Sequence, residues 1–238
     1  NHPEPLLPLK LFQIPLVSIT IVHGFFVMMA LIGAMSFLPL FVQGVIGTSA
    51  AEAGRVLTPL IFPWVIASII GSRLILKFGY RPLALVAMVS MLLGATLLTR
   101  VTVATTRLEL SIAVALLGIG GGLTVATLMI AAQHAVPRSE MGVTTAAVQF
   151  FRSIGAAFGT GAMGAILNWG LHKSLAGATG ELARFANQSE LTSIVRPETR
   201  SSLSPVAASF LQHALARSLR TAFFFVLATI IVDRKSVV

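Results

Sequence analysis

Gln149 and Arg152 are the residues of this sequence best placed to do chemistry, because an amide and a positive charge stand three residues apart within an apolar stretch. A spacing of three puts both side chains on one face of a helix. A charge in such a stretch is costly unless it reaches the interface of a membrane or lines a cavity. Arg152 is therefore either a snorkelling or structurally paired side chain, or a group that takes part in gating or contacts an anion.

A second group of residues combines aromatic rings with small polar groups, which is the usual lining of pockets for amphipathic organic molecules. Aromatic walls with one polar contact would form such a cavity, although each ring taken singly could equally face lipid. The candidate cavity residues are Phe37, Phe41, Gln43, Trp64, Thr127, Gln149 and Arg152.

Metal, disulfide and covalent chemistry have little support in the sequence. It contains no cysteine, which excludes disulfides and thiolate-bound metals. The histidines, at positions 2, 23, 134, 172 and 213, show no close metal-ligand spacing, so they are interpreted as ordinary polar residues. His23 has no evident serine or aspartate partner for hydrolysis. We predict no catalytic residue, no metal, no cofactor and no enzyme activity.

The elements that must position the candidate residues are six long apolar runs, at 15–45, 57–76, 83–105, 109–133, 142–170 and 216–232. A helix needs about 20 residues to span the hydrocarbon core of a bilayer, and every run except 216–232 meets that length. Their interiors hold no acidic residue, since Glu109 only opens the fourth run. With 55% hydrophobic and 11% charged residues, the chain is too apolar for a soluble protein. We predict an all-α polytopic membrane protein, a six-transmembrane-helix bundle.

The segments outside these runs suggest a domain organisation. Residues 1–14 form a proline-rich linker, 15–170 five membrane helices, 171–215 a polar loop outside the membrane, and 216–232 the last helix, which we expect to be truncated. Residues 233–238 can be back-translated as GAT CGG AAG AGC GTC GTG, which resembles a common sequencing adapter. We therefore expect these six residues to be non-native read-through.

The net charge of +9 does not indicate nucleic-acid binding. The basic residues are scattered between apolar runs, without the basic stripe or stacking aromatic residues that nucleic-acid interfaces carry. We predict no nucleic-acid partner.

Two pairs of glycines stand four residues apart, Gly118 with Gly122 and Gly155 with Gly159. Small residues at this spacing let helix backbones pack closely in lipid. The pairs either serve static helix packing or provide smooth faces along which helices slide or bend.

The segment from Gly71 to Arg81 resembles the G-x-x-x-D-R-x-G-R loop of the major facilitator superfamily, although Leu76 stands where the acid would be. A degenerate copy is typical of the second half of such proteins. The resemblance implies a cytoplasmic gate loop made of Gly71, Arg73, Lys77, Gly79 and Arg81.

Two longer stretches resemble a narrower group, the C-terminal half of fourteen-span drug:proton antiporters of the EmrB/QacA type. One is Phe37 to Gly47 with Ser49 to Gly54, and the other is Ala135 to Thr144 with Gln149 to Gly155. This resemblance implies a multi-pass protein of the cell inner (cytoplasmic) membrane. It places residues 1–14, the Lys77–Arg81 turn and the His134–Glu140 turn on the cytoplasmic side, and the 171–215 loop on the extracytoplasmic side.

The resemblance also implies partners: the lipid bilayer, the missing N-terminal half of the same polypeptide, a small amphipathic drug-like substrate, and protons. The chain would supply one wall of the substrate cavity, while the proton-titrating acids would lie in the N-terminal half. The alternatives are a facilitator carrier of another solute, such as a sugar, organic acid or siderophore, and a half-size membrane protein that acts as a dimer.

Overall fold

The computed structural model describes residues 9–176 and 204–237, which form helices joined by short turns and contain no β-strand. A 3-10 helix, Leu9–Gln13, a π-helical turn, Val42–Ile46, and a 3-10 turn, Arg138–Glu140, accompany six long helices. These are α1 (Pro15–Phe41), α2 (Ala50–Phe78), α3 (Tyr80–Leu98), α4 (Arg107–His134), α5 (Met141–Leu175) and α6 (Pro205–Val237). All six are long and apolar enough to cross a membrane, which confirms the predicted all-α bundle.

Helices α2 and α4 begin at side-chain caps. At the start of α2, the Ser49 hydroxyl accepts a hydrogen bond from the Glu52 N–H at 3.3 Å. At the start of α4, the Thr106 hydroxyl accepts from the Glu109 N–H at 3.3 Å, while the Glu109 carboxylate accepts from the Thr106 N–H at 2.9 Å. Such caps satisfy N–H groups that have no partner within the helix. Arg107 then pairs with Glu52 at 2.6 Å and joins these two helix starts.

A change of helix type follows Pro39, the proline near the end of the first helix. Proline has no N–H, so the carbonyl one turn earlier loses its helical partner. The α-helix ends two residues later at Phe41, and the π-helical turn follows. Gly47, with a φ of 82°, then ends the segment in a left-handed conformation that glycine adopts without strain.

The last helix starts eleven residues before the apolar run at 216–232. It begins at Pro205 because Ala207, Leu211 and Leu215 recur at helical spacing and pack into the main core. Of the predicted loop at 171–215, Leu171–Leu175 belongs to α5 and residues 177–203 lie outside the described residues.

Part of the predicted linker at 1–14 packs against the bundle. Leu11, in the 3-10 helix, is almost fully buried in a small cluster with Val17 and Val148, while residues 1–8 lie outside the described residues. The 3-10 helix Leu9–Gln13 is therefore part of the folded unit.

The bundle is built around a central pair, α1 and α4, which contact each other. Helix α2 packs along α4 and helix α5 along α1, while α3 and α6 contact each other and cover one side of the pair. The opposite side, bordered by α2 and α5, is not covered by any described helix. We call it the open face.

Candidate functional site

Arg152 is a buried cation at the junction of α1, α4 and α5, with only 5% of its surface exposed. Its Nη1 donates to Gln149 Oε1 at 3.2 Å, and its Nη2 donates to the Val125 carbonyl of α4 at 3.3 Å. The buried Nε has no acceptor. Both acceptors are neutral, and both distances exceed the about 2.7–2.9 Å of charge-assisted hydrogen bonds. Arg152 forms no ion pair in the part of the chain that the structure describes.

Helix α1 makes room for this side chain with Gly24. A Cβ at Gly24 would lie 3.1 Å from Arg152 Nε and 3.2 Å from its Cγ, closer than the about 3.5–4.0 Å of ordinary carbon contacts. One turn earlier, the Thr20 hydroxyl donates to the Leu16 carbonyl at 2.8 Å and lies 3.4 Å from the Leu128 carbonyl. The burial of Arg152 therefore depends on residues of three helices.

Helix α5 carries a stripe of small and polar residues beside Arg152. The members recur at spacings of three and four, so they share one face of the helix. All are exposed except the last two, which are half-buried. The Thr160 hydroxyl lies 3.4 Å from that of Ser36 on α1. This polar stripe consists of Gly142, Ala146, Gln149, Ser153, Ala157, Thr160 and Gly164.

A different face of α5 is apolar, and its exposed members are Phe150, Ile154, Phe158 and Trp169. Two exposed faces of opposite polarity on one helix need different surroundings. In a bilayer, the aromatic face suits lipid, whereas the polar stripe suits an aqueous cavity or another protein segment.

Two of the predicted aromatic residues lie beside the central helices. Phe37 is half-buried, and its ring lies 3.4 Å from the position of a Cβ at Gly164, so it reaches the polar stripe. Trp64 is half-buried with its ring over Gly121 of α4, 3.2 Å from the position of a Cβ there. Phe41, by contrast, is fully buried in the main core, where its side chain contributes to packing.

The remaining predicted cavity residues lie apart from Arg152. Gln43 is half-buried in the π-helical turn beyond α1. Thr127 is almost fully buried on α4, and its hydroxyl, which has no hydrogen-bond partner, lies 3.3 Å from the position of a Cβ at Gly71 on α2. The structure thus brings Gln149 and Arg152 together and places Phe37 beside the polar stripe, whereas Thr127 faces α2.

The four paired glycines lie at two close helix crossings. A Cβ at any of them would collide with a backbone carbonyl of the facing helix: Gly118 with Leu60, Gly122 with Trp64, Gly155 with Phe25, and Gly159 with Met29. The first two glycines join α4 to α2, and the other two join α5 to α1. Both helices that border the open face are therefore held to the central pair through glycine backbones.

Comparison with known proteins assigns this architecture to a family. Residues 2–160, well over half of the chain, match the family model described as Major Facilitator Superfamily. The chain belongs to this superfamily. The resemblance drawn from the sequence is confirmed at this level, and the fourteen-span EmrB/QacA type stays a prediction. Members of the superfamily are transporters rather than enzymes, and the chain is a multi-pass membrane protein.

Several curated facilitators resemble the chain. The multidrug transporter protein MdtP of Bacillus subtilis is 39% identical over 165 residues, 69% of this chain and 30% of that protein. Multidrug resistance protein 3 of Bacillus subtilis is 27% identical over 228 residues, 93% of this chain and 44% of that protein. A tetracycline resistance determinant of Streptomyces rimosus is 31% identical over 158 residues, 66% of this chain and 45% of that protein. The chain spans less than half the length of each.

The residues of the facilitator loop lie at the end of α2 and the start of α3. Gly71 is buried, where a Cβ would lie 3.1 Å from Leu123 of α4, and Gly79 ends α2 with a φ of 74°. Arg73, Lys77 and Arg81 are exposed. The two glycines thus have structural reasons for their positions, and the gating role of the loop stays a prediction.

His23, for which the sequence showed no evident serine or aspartate partner, is buried and has an aspartate partner in the structure. Its Nδ1 lies 2.5 Å from Asp233 Oδ2 on α6, and both side chains are almost completely buried. Because His23 lies on the first long helix and Asp233 on the last, the sequence gave no signal for this contact. Asp233 is the first of the six residues expected to be read-through, so the contact is not assigned a function.

Proposed function

We propose that the chain forms the C-terminal six-helix half of a proton-coupled multidrug exporter, a drug:proton antiporter that works by alternating access in the inner (cytoplasmic) membrane. Two facts support this. Relatives at 27–39% identity are named for multidrug transport or multidrug resistance, and each is more than twice as long as the stretch it shares with this chain.

The observation that carries the proposal is the exposed polar stripe of α5. A membrane helix that exposes Gln149 and Ser153 next to an aromatic lipid-facing surface is suited to line a cavity. Phe37 adds an aromatic ring at the stripe, so the surface offers both apolar and hydrogen-bonding contacts. An amphipathic drug-like compound needs that combination.

The missing partner of the open face is then the N-terminal half of the same polypeptide. The acids within α1–α5 stand at helix starts, where Glu52 pairs with Arg107 and Glu109 caps α4. Proton coupling needs a titratable group at membrane depth. We therefore assign the proton-titrating acids to the N-terminal half, which would close the cavity across the polar stripe.

The glycine crossings suit a rocking movement of the halves. In facilitators of this kind, substrate sites lie near the bilayer midplane, and gates open on alternate sides. Helices α2 and α5 border the open face, and their backbones approach the central pair closely at the glycine crossings. In this proposal the Lys77–Arg81 and His134–Glu140 turns lie on the cytoplasmic side.

The test is drug efflux by the full-length protein in a bacterial host that lacks its main exporters. We expect lower ethidium and tetracycline accumulation than in the empty host, and a return to the empty-host level when a protonophore collapses the proton gradient. A matched pair of variants then tests the cavity: Ser153→Trp fills the polar stripe, whereas Ile154→Trp adds the same bulk on the lipid face. Efflux should fall with Ser153→Trp and stay unchanged with Ile154→Trp.

Equal efflux by both tryptophan variants would show that the stripe lines no substrate path. Absence of drug efflux together with transport of a sugar, organic acid or siderophore would replace the multidrug proposal with a carrier of that solute. Efflux that persists without a proton gradient would refute proton coupling alone.

A further inference from the structure

We propose that Arg152 and Gln149 form a binding site for one carboxylate group of an exported compound. The inference rests on the proposed function, because the open face must be the surface that meets the substrate. It adds a substrate class: amphipathic molecules that carry an acid group.

The first argument is charge. The guanidinium of Arg152 stays protonated in proteins, and its side chain is 95% withdrawn from solvent. A buried charge is normally paired with an opposite charge or a metal. Among the described residues Arg107 pairs with Glu52, whereas no acid lies within ion-pair distance of Arg152, so the charge of Arg152 is not neutralised there.

The second argument is the quality of the contacts that Arg152 does make. Its two hydrogen bonds, at 3.2 and 3.3 Å, reach an amide oxygen and a backbone carbonyl, and Nε has no acceptor. A carboxylate would offer shorter, charge-assisted bonds in the planar geometry that a guanidinium favours. The present partners are therefore the weaker choice.

The third argument is access. Gln149 is exposed on the polar stripe, and its Oε1 occupies the position on Nη1 that a carboxylate oxygen would take. The amide is a neutral stand-in for a carboxylate, and rotation of an exposed side chain can move it aside. The opening then lies on the polar stripe and not on the aromatic face of α5, which favours a substrate over a lipid headgroup.

The experiment measures binding to the purified full-length transporter in nanodiscs of zwitterionic phosphatidylcholine, with empty nanodiscs subtracted. Three probes share one aromatic body and differ in charge: 2-naphthoate, 2-naphthamide and 2-naphthylmethylammonium. Hydrogen bonds to charged partners are stronger than neutral ones, so we expect naphthoate to bind about tenfold more tightly than the other two.

Three variants decide whether this preference comes from Arg152. Gln149→Glu places a carboxylate on Nη1 permanently, so the naphthoate preference should disappear while the fold is kept. Arg152→Gln should also remove it. Arg138→Gln removes an exposed arginine just before α5 and should leave the preference intact.

Equal affinity for the three probes in the unmodified protein would overturn the proposal, and so would a preference that survives Gln149→Glu. If Arg152→Gln does not fold, Gln149→Glu decides alone. Because binding is measured without transport, a naphthoate preference without drug efflux would uphold the site and refute the exporter. Drug efflux without the preference would refute only the site.

Discussion

Replacement of Gly159 by alanine should destabilise the bundle measurably. The added Cβ would collide with the Met29 carbonyl oxygen and lie 2.8 Å from both the carbonyl carbon and the Cα of that residue. Carbon atoms pack at about 3.5–4.0 Å, so α5 must move away from α1 by about 1 Å, which forfeits a quarter to a half of the contact energy along the crossing.

The size of the effect follows from this forced separation. Overpacking of a close-packed interior costs about 1–3 kcal/mol. For a protein of this size, each kcal/mol lowers the melting temperature by about 2–4 °C. We therefore expect Gly159→Ala to melt on the order of 2–12 °C lower than the unmodified protein, measured on the full-length transporter in detergent by intrinsic fluorescence.

Gly161→Ala is the matched control, because it makes the same substitution two residues further along α5, where a Cβ meets nothing within 4 Å. Alanine favours the helix over glycine by up to about 1 kcal/mol, so this variant should melt at the same temperature or higher. If Gly159→Ala melts no lower than Gly161→Ala, the close approach of α1 and α5 does not exist in the membrane-embedded protein.

Three further predictions concern other parts of the bundle. Thr106→Ala removes the capping box of α4 and should cost about 1 kcal/mol, seen as a melting temperature lower by about 2–4 °C. Glu52→Gln breaks the exposed pair with Arg107, which should cost less than about 1 kcal/mol, with the difference vanishing in 1 M salt because exposed pairs are screened. The chain contains no cysteine, so a single introduced cysteine is the one thiol it carries. Ala157→Cys on the polar stripe should react with a membrane-impermeant maleimide, whereas Phe158→Cys on the lipid face should not. The reason is that the reactive form is the thiolate, and only a hydrated thiol ionises. Equal labelling of the two would contradict the assignment of the faces.

The number and type of the helices could be predicted because a chain in hydrocarbon must satisfy its backbone hydrogen bonds within each segment. Their ends were less predictable. Helix α3 ends at Leu98, before the end of the apolar run 83–105, because a local turn follows it. In this turn the Thr105 hydroxyl accepts a hydrogen bond from the Thr102 N–H at 2.7 Å. Hydropathy does not detect such a turn.

The local part of the candidate site was also predictable. Gln149 and Arg152 pair as their spacing of three indicates. The other neighbours of Arg152 are not local, since Gly24 lies on α1 and Val125 on α4. Without these contacts, the sequence left open whether Arg152 snorkels to the interface or is buried, and the structure shows that it is buried.

The sequence by itself determined a six-helix membrane protein of the facilitator type, because apolar length, the absence of interior acids and the loop motif are properties of the chain alone. Only the tertiary structure decided which face of each helix meets the core, the lipid or the open face. Phe37 and Phe41 are four residues apart and of one type, yet Phe41 is enclosed in the core while Phe37 reaches the polar stripe. The reason is physical: the surroundings of a side chain are set by the helices that pack against it, and the glycine crossings that set this packing join segments distant in sequence.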